Sequence, residues 1–390
     1  MHLRNSQGRP MTDAPLAGLL VLDLSQFLSG PSSALRLGDL GARVIKVERP
    51  DGGDLTRRLY LSDTGIGGDS TLFHAINRGK ESIALDYKDA TQRAALMRLV
   101  GRADVVIQNF RPGVAERLGI GPDMLTAANP RLVCGVISGY GPDGDWAHLP
   151  GQDLLAQARS GVMWLTGRAG DGPVPMGLAV ADLLAGAALT QGILAALVRR
   201  GVTGRGGVVR TSLLEALVDF QFEVLTTHLN DGGRLPARAV AHGAHAWLAA
   251  PYGVYRCADG WLALAMTPLP RLAQVLDLPA LADLPPGAGF ARRDEILTLI
   301  AAHLATQPLA HWLALAEATD LWAAPVMDWP ALLESKAFQG LELLQTVTGP
   351  HGSLRTTRAP ITIDGWRPGC IRAAPAVDEQ GAAIRAEFGL

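Results

Sequence analysis

Leu19-Leu-Val-Leu-Asp-Leu24, Gly30-Pro-Ser-Ser-Ala-Leu-Arg-Leu-Gly-Asp-Leu-Gly41 and Val44-Ile-Lys-Val47 follow one another near the start of the chain, and their reading decides the fold. The outer two are short apolar runs of strand length, while the middle one groups its apolar positions on one helical face. The alternation continues downstream. Ile83 to Leu85, Val105 to Ile107 and Leu132 to Ile137 read as further strands, and Ala90 to Arg102 has helical apolar spacing. Strands alternating with helices predict a parallel sheet covered on both faces, a Rossmann-like α/β domain.

Beyond it, Asp182 to Arg200 and Ser212 to Leu229 read as two long helices separated by Val208-Val-Arg-Thr211. The Gly- and Pro-bearing break Asn230-Asp-Gly-Gly-Arg-Leu-Pro236 marks a crossing between domains. Two β-like runs then flank Ala258-Asp-Gly260, and helical stretches run from about Arg292 to Thr319, as in a smaller α+β unit. From Trp329 the pattern gives a helix, two strands around His351-Gly352 and a polar tail. The predicted division is a large domain over 1–230, a small one over 231–330, and a segment 331–390 that returns to the large domain.

The 390 residues, 48% hydrophobic and 18% charged, suit an ordinary globular protein with a sizeable core. A formal net charge of −2 gives no reason to expect nucleic acid or an acidic membrane surface as partner. Cys134, Cys257 and Cys370 are odd in number and form no CxxC, so neither a disulfide framework nor a thiolate zinc site is expected. Reduced thiols fit a cytoplasmic protein. Met1 to Pro15 is polar and lacks a signal peptide's apolar core, and Met11 is a candidate start. Gly177 to Val198 is apolar enough to suggest a membrane span, but it contains Asp182 and Gln191 and reads better as a buried helix.

Motifs narrow the chemistry. Gly139-Tyr-Gly-Pro-Asp-Gly144 matches GxGxxG, but no helix opens after it to meet a pyrophosphate, so it reads as a loop. There is no P-loop and no GxSxG elbow. His242 and His245 lack acidic or sulfur neighbours, so no metal site is expected. Arg49, Arg57, Arg111 and Arg117 fall at or soon after predicted strand ends, where a guanidinium can grip phosphate with two parallel bonds; a solvated basic surface is the plainer reading for part of them. Asp182 stands in Gly177-Leu-Ala-Val-Ala-Asp-Leu-Leu-Ala-Gly186 ahead of a long apolar run. A carboxylate in such company needs a partner. From this segment alone, an N-cap is the commoner explanation and an aimed nucleophile the sharper one.

Taken in order, these segments resemble the class III coenzyme A transferases, the superfamily of formyl-CoA and carnitine CoA-transferases. The resemblance rests on Pro15 to Asp23, Ser29-Gly-Pro31, Leu40 to Glu48, Gly53 to Arg57, Ser82 to Asp86, Asn109 to Gly113, Gly151 to Gln157, Thr203 to Gly206 and Pro251 to Gly260, and it runs to Glu387-Phe-Gly-Leu390. It implies a Rossmann-like large domain with a smaller α+β domain, and two chains interlocked as a homodimer. It implies that Asp182 is the catalytic nucleophile, carrying first an acyl anhydride and then a CoA thioester between an acyl-CoA donor and a carboxylic acid acceptor. It also implies CoA contacts at Leu28, Ser29, Arg49, Leu85, Lys88, Asn109, Phe110, Arg117 and Asp153, with coenzyme A as substrate and no other cofactor. Leu28 replaces the polar residue of some members. Ala241 to Trp247 lacks the glycine run that covers the anhydride in formyl-CoA transferases. The α-methylacyl-CoA racemases of the same superfamily use a histidine where this chain has Gln152, and a carboxamide exchanges no proton near neutral pH. A non-catalytic nucleotide-binding module would keep the arginines without needing Asp182.

Overall fold

A computed structural model describes residues 14–390; the polar leader with Met11 lies outside the described residues. Six strands form one wholly parallel sheet: β1 (Leu20–Asp23), β2 (Arg43–Glu48), β3 (Glu81–Ala84), β4 (Val105–Gln108), β5 (Val133–Ser138) and β6 (Gly207–Ser212), in the spatial order β3-β2-β1-β4-β5-β6. The first five follow the sequence pattern closely. The sixth is the stretch around Val208 to Thr211, expected from the sequence to be a separator between helices. Its pairing with β5 extends the sheet.

Helices α1 (Ser29–Asp39), α2 (Ala90–Val100), α4 (Val180–Thr203) and α5 (Leu213–Phe220) surround or adjoin this sheet, and α3 (Asp153–Ser160) meets the start of α4. Leu22, Ile45, Ile83, Val106 and Leu96 are almost wholly buried in its core. Each such side chain stabilises the fold by about 1.5–3 kcal/mol relative to exposure. α4 is the long apolar helix. Ala181, Ala185, Leu189 and Ile193 are buried, whereas Leu183, Val198 and Val202 are exposed, so the expected buried helix is buried on one face only. The expected helix from Ser212 to Leu229 is broken at Gln221, giving α5 and Phe222–Asn230.

That break is also where the chain divides. One compact unit runs from the start of the described chain to Arg159 and takes in Leu178–Phe220 and Leu341–Leu390; the other comprises Ser160–Gly177 and Gln221–Gly340. The sequence reading put the crossings near 231 and 330 and did not foresee that 160–177 belongs with the second unit. Polar composition marks where chain is exposed, not where packing stops.

The second unit has its own three-stranded antiparallel sheet, with Trp261–Leu264 between Gly253–Arg256 and Ala323–Pro325, and a core that includes Tyr255, Leu262, Ile296, Ile300 and Trp312. In the first unit the tail returns to the outer strand β3. Asp378 Oδ1 accepts from Ala84 N (2.8 Å) and Gln380 Oε1 from Ser82 N (2.9 Å), while Arg385 donates to Ala84 O (3.0 Å) and Gln380 N to Ser82 O (3.2 Å). The backbone groups that an edge strand leaves open are thereby occupied.

Candidate active site at the carboxyl edge of the sheet

All six strands end along one edge, and the strand order reverses between β1 and β4. At such a reversal neighbouring loops diverge and leave a crevice, where ligands of open α/β sheets collect. The loops here are 24–28 and 109–113. Asn109 ties them together, its Oδ1 accepting from Gln26 N (2.9 Å) and its Nδ2 donating to Gln26 O (2.7 Å).

Eight residues expected to meet CoA fall beyond the carboxyl ends of β1 to β4. Leu28 and Ser29 open α1, with Ser29 buried. Arg49 follows β2 and is exposed, its guanidinium 3.4 Å from Gly53 O. Lys88 follows β3 and Arg117 lies in the short turn Val114–Arg117 after β4; both are exposed. Phe110 is half-buried and stands edge-on to the Tyr87 ring, with centroids 6.1 Å apart. Leu85 differs from the rest: its side chain is 2% exposed and sits in the core, and its amide donates to Glu48 O (2.8 Å). The Asn109 carboxamide is already engaged with Gln26.

Of the four candidate phosphate-binding arginines, Arg57 is removed by the structure. It is buried, bonds Glu48 Oε1 (2.7 Å), Asp69 Oδ2 (2.5 Å) and Pro375 O (3.0 Å), and packs over the Phe73 ring at 3.8 Å. It is a buried structural cation, with four of its five N–H donors already bonded within the fold. Arg111, like Arg49 and Arg117, is exposed.

Asp182 and Asp153 come from helix N-termini. α4 begins at Val180, with Ala179 as its N-cap and no side-chain cap of its own, so Asp182 sits in the first turn and is not the cap. The cap reading misplaced the start because Ala179 and Val180 look the same as the run that follows. The capping carboxylate is Asp153, whose Oδ1 accepts from Ala181 N (2.7 Å) and Asp182 N (3.4 Å). Its Oδ2 accepts from Gln157 Nε2 (2.7 Å). The exposed Gln152, one residue earlier, gives its carbonyl to Ala156 N.

With its own amide in that cap, Asp182 has its carboxylate close enough to the start of α1 for the Ser29 hydroxyl and backbone N–H to favour its charged form. The approach of the two helices explains how. Ser33 Oγ lies 3.0 Å from Thr190 Oγ1, four residues on from Ser29 and eight from Asp182. Between them Gly186 lets the backbones close: a Cβ there would lie 2.2 Å from Ser32 Oγ and 2.7 Å from Ser29 O. Burial pushes the Asp182 carboxyl up and the Asp153 charge adds to that, while the Ser29 bonds oppose both; the result is about 6, against an ordinary 3.8. Such a group is ionised at neutral pH yet more basic than a solvated carboxylate, as a nucleophile requires.

Sequence reasoning passed over Gly186, which looks like any small residue of an apolar helix. It also passed over a buried ion cluster around Asp23 and Lys46. A signal was present: one acid and one base of opposite sign stand inside two otherwise apolar strand runs.

The sequence pattern of CoA-transferase family III matches residues 16–381. An acetyl-CoA:oxalate CoA-transferase of Acetobacter aceti is 35% identical, with 96% of each chain aligned. A succinyl-CoA:mesaconate CoA-transferase of Haloarcula hispanica is 34% identical, again over 96% of each. A mouse succinyl-CoA:glutarate CoA-transferase is 33% identical over 82% of this chain and 74% of its own. Among solved structures, a CaiB/BaiF family protein from Brucella suis superimposes with a TM-score of 0.83 at 30% identity, covering 96% of this chain and 99% of that one. The chain belongs to CoA-transferase family III, a family of acyl-CoA:carboxylate CoA-transferases.

Proposed function

We propose that Asp182 is the nucleophile of this transferase and carries the CoA group covalently. Its carboxylate oxygen attacks the thioester carbon of the donor acyl-CoA; the C–S bond breaks and leaves an aspartyl–acyl anhydride and CoA thiolate. The thiolate attacks Cγ of Asp182 and expels the donor acid, giving an aspartyl–CoA thioester. An acceptor carboxylate attacks the same carbon and releases the thiolate, which takes the acyl group from the new anhydride and restores the free carboxylate. Each step exchanges one acyl bond for another, so no net hydrolysis is needed. The observation that carries this reading is the Asp182 carboxylate in the first turn of α4, beside the Asp153 cap and raised to about 6, with the Ser29 hydroxyl and amide favouring its charge. Those donors also suit the oxyanions formed at the aspartyl carbon.

The exposed Arg49, Lys88, Arg111 and Arg117 supply positive charge for the CoA phosphates along the same sheet edge. The relatives' names pair CoA thioesters with oxalate, mesaconate and glutarate, so short dicarboxylates are the first acids to test. The exposed apolar face of α4 supports a homodimer, which light scattering would register as twice the chain mass. Hydroxylamine or borohydride trapping with acyl-CoA should mark the peptide holding Asp182, and Asp182→Asn should lose transfer by several orders of magnitude. An Asn variant that transfers CoA at near wild-type rate, with reversion to Asp excluded, overturns the mechanism. Exchange of the α-proton of a 2-methylacyl-CoA with solvent deuterium would point instead to the racemase reaction.

A further inference from the structure

Beneath the turn that carries Ser29 lie two fully buried ammonium groups. Lys46 pairs with Asp23 across adjacent strands, residue opposite residue, and its Nζ lies 3.7 Å from Asp23 Oδ2 and 2.7 Å from Asp54 Oδ2. Lys80 bonds Asp23 Oδ2 (2.8 Å) and Asn77 Oδ1 (2.9 Å). Neither lysine reaches solvent, and Asp23 is fully buried as well. Stability alone is a weak reason to keep such a cluster, because well-packed apolar residues often replace buried ion pairs without loss.

The remaining bonds of the cluster show what it holds. Lys46 Nζ donates to Ser25 O (3.0 Å) and Lys80 Nζ to Pro31 O (3.0 Å), carbonyls on either side of Ser29. The Ser25 amide (3.0 Å) and hydroxyl both donate to Asp23 Oδ1. Gln26 is clamped at N and O by Asn109, and Phe27 N points to Asp54 Oδ1 at 3.4 Å. Phe27, a non-glycine residue 42% exposed, has φ 63. A side-chain-bearing residue keeps that left-handed conformation only where its surroundings over-determine it, and such strain concentrates at functional sites.

We propose that Lys46 and Lys80, joined on Asp23, are positioning residues for the covalent step: they hold the 25–31 turn so that Ser29 presents its hydroxyl and amide to Asp182. They touch neither substrate nor CoA. The inference rests on Asp182 as the nucleophile. Asp23→Asn keeps the shape of the shared carboxyl while removing the charge that joins the two lysines. In the full-length protein, with fold and assembly checked by circular dichroism and light scattering, kcat should fall at least tenfold with the acyl-CoA KM within threefold of wild type. Ser29→Ala should lower kcat at least tenfold as well. In the double variant the combined loss should fall short of the product of the two, the Ser29 amide that Ser29→Ala keeps carrying the remainder.

A folded Asp23→Asn enzyme whose kcat stays within threefold of wild type overturns the proposal, as does a double variant whose losses multiply. If Asp23→Asn does not fold, Ser25→Ala removes a single hydroxyl bond to the same carboxylate. It should then lower kcat two- to fivefold at unchanged KM, an effect again smaller once the Ser29 hydroxyl is removed; a kcat equal to wild type overturns the proposal. A fully active Asp182→Asn would overturn the mechanism underneath, whereas an inactive Asp182→Asn beside a fully active Asp23→Asn would overturn this inference alone.

Discussion

Asp182→Asn should make the ligand-free protein more stable, and by an amount that depends on pH. The folded protein holds this carboxyl at about 6 against 3.8, because ionisation is opposed by burial and by the Asp153 charge. A carboxyl raised on folding binds its proton more tightly in the native state than in the unfolded chain. Its penalty is therefore absent well below pH 3.8, grows as pH rises between the two values, and is complete above about 6. At ~1.4 kcal/mol for each tenfold in proton affinity, the full penalty is about 3 kcal/mol. Asparagine has no charge to desolvate, retains an acceptor for the Ser29 donors and still leaves Asp153 to cap the helix. Urea unfolding should therefore show the variant about 3 kcal/mol more stable at pH 8 and only about 1 kcal/mol more stable at pH 4.5. The pH 8 figure is an upper bound, because the side chain is partly solvated. A variant less stable than wild type at pH 8, or one whose gain is the same at both pH values, would refute the electrostatic reasoning. A stabilised but inactive variant would be the expected signature of a site built for reaction at the expense of stability.

Asp153→Asn removes a like charge from beside Asp182 while keeping an acceptor for the Ala181 amide; the acid limb of the kcat/KM profile should move to lower pH, and a limb that stays put would deny the coupling. Gly186→Ala puts a methyl group 2.2 Å from Ser32 Oγ and 2.7 Å from Ser29 O. Thermal unfolding should register a loss of about 1–3 kcal/mol, with a disproportionate loss of covalent trapping at Asp182. Arg117→Ala should weaken CoA binding roughly tenfold, or ~1.4 kcal/mol, and flatten its salt dependence in calorimetric titrations, with little change in melting temperature.

Much of the fold was legible because a parallel sheet buried on both faces leaves a plain trace: short apolar runs such as Leu20–Asp23 and Val105–Gln108, separated by helical spacing. β6 was missed because Gly207–Ser212 is only half-buried and carries Arg210, so its apolar signal is short. The break at Gln221 escaped because both flanking pieces are helical, and helical periodicity does not report where one packed unit ends. At the site, Asp182 drew attention as a lone acid in apolar surroundings, while its partners did not. The Asp153 cap and the Ser29 donors lie far from it in sequence, and only the packing of α1 and α3 against the start of α4 brings them together. Arg57 failed as a phosphate ligand because residue type and strand-end position say nothing about prior engagement with Glu48 and Asp69.

The tail seated on β3 bears on how this enzyme matures. β3 leads directly into Leu85 and Lys88, yet its outer rim is completed by residues 378–385, which leave the ribosome almost 300 residues later. Until then the newly made strand presents open amides and carbonyls that invite pairing with another chain. A nascent chain halted before residue 378 would thus carry Asp182 and every residue expected to bind CoA, but with the rim beside Lys88 uncovered. Loss of the segment from Asp378 onward would then be felt first as aggregation and weakened nucleotide binding, at the end of the sheet away from α4.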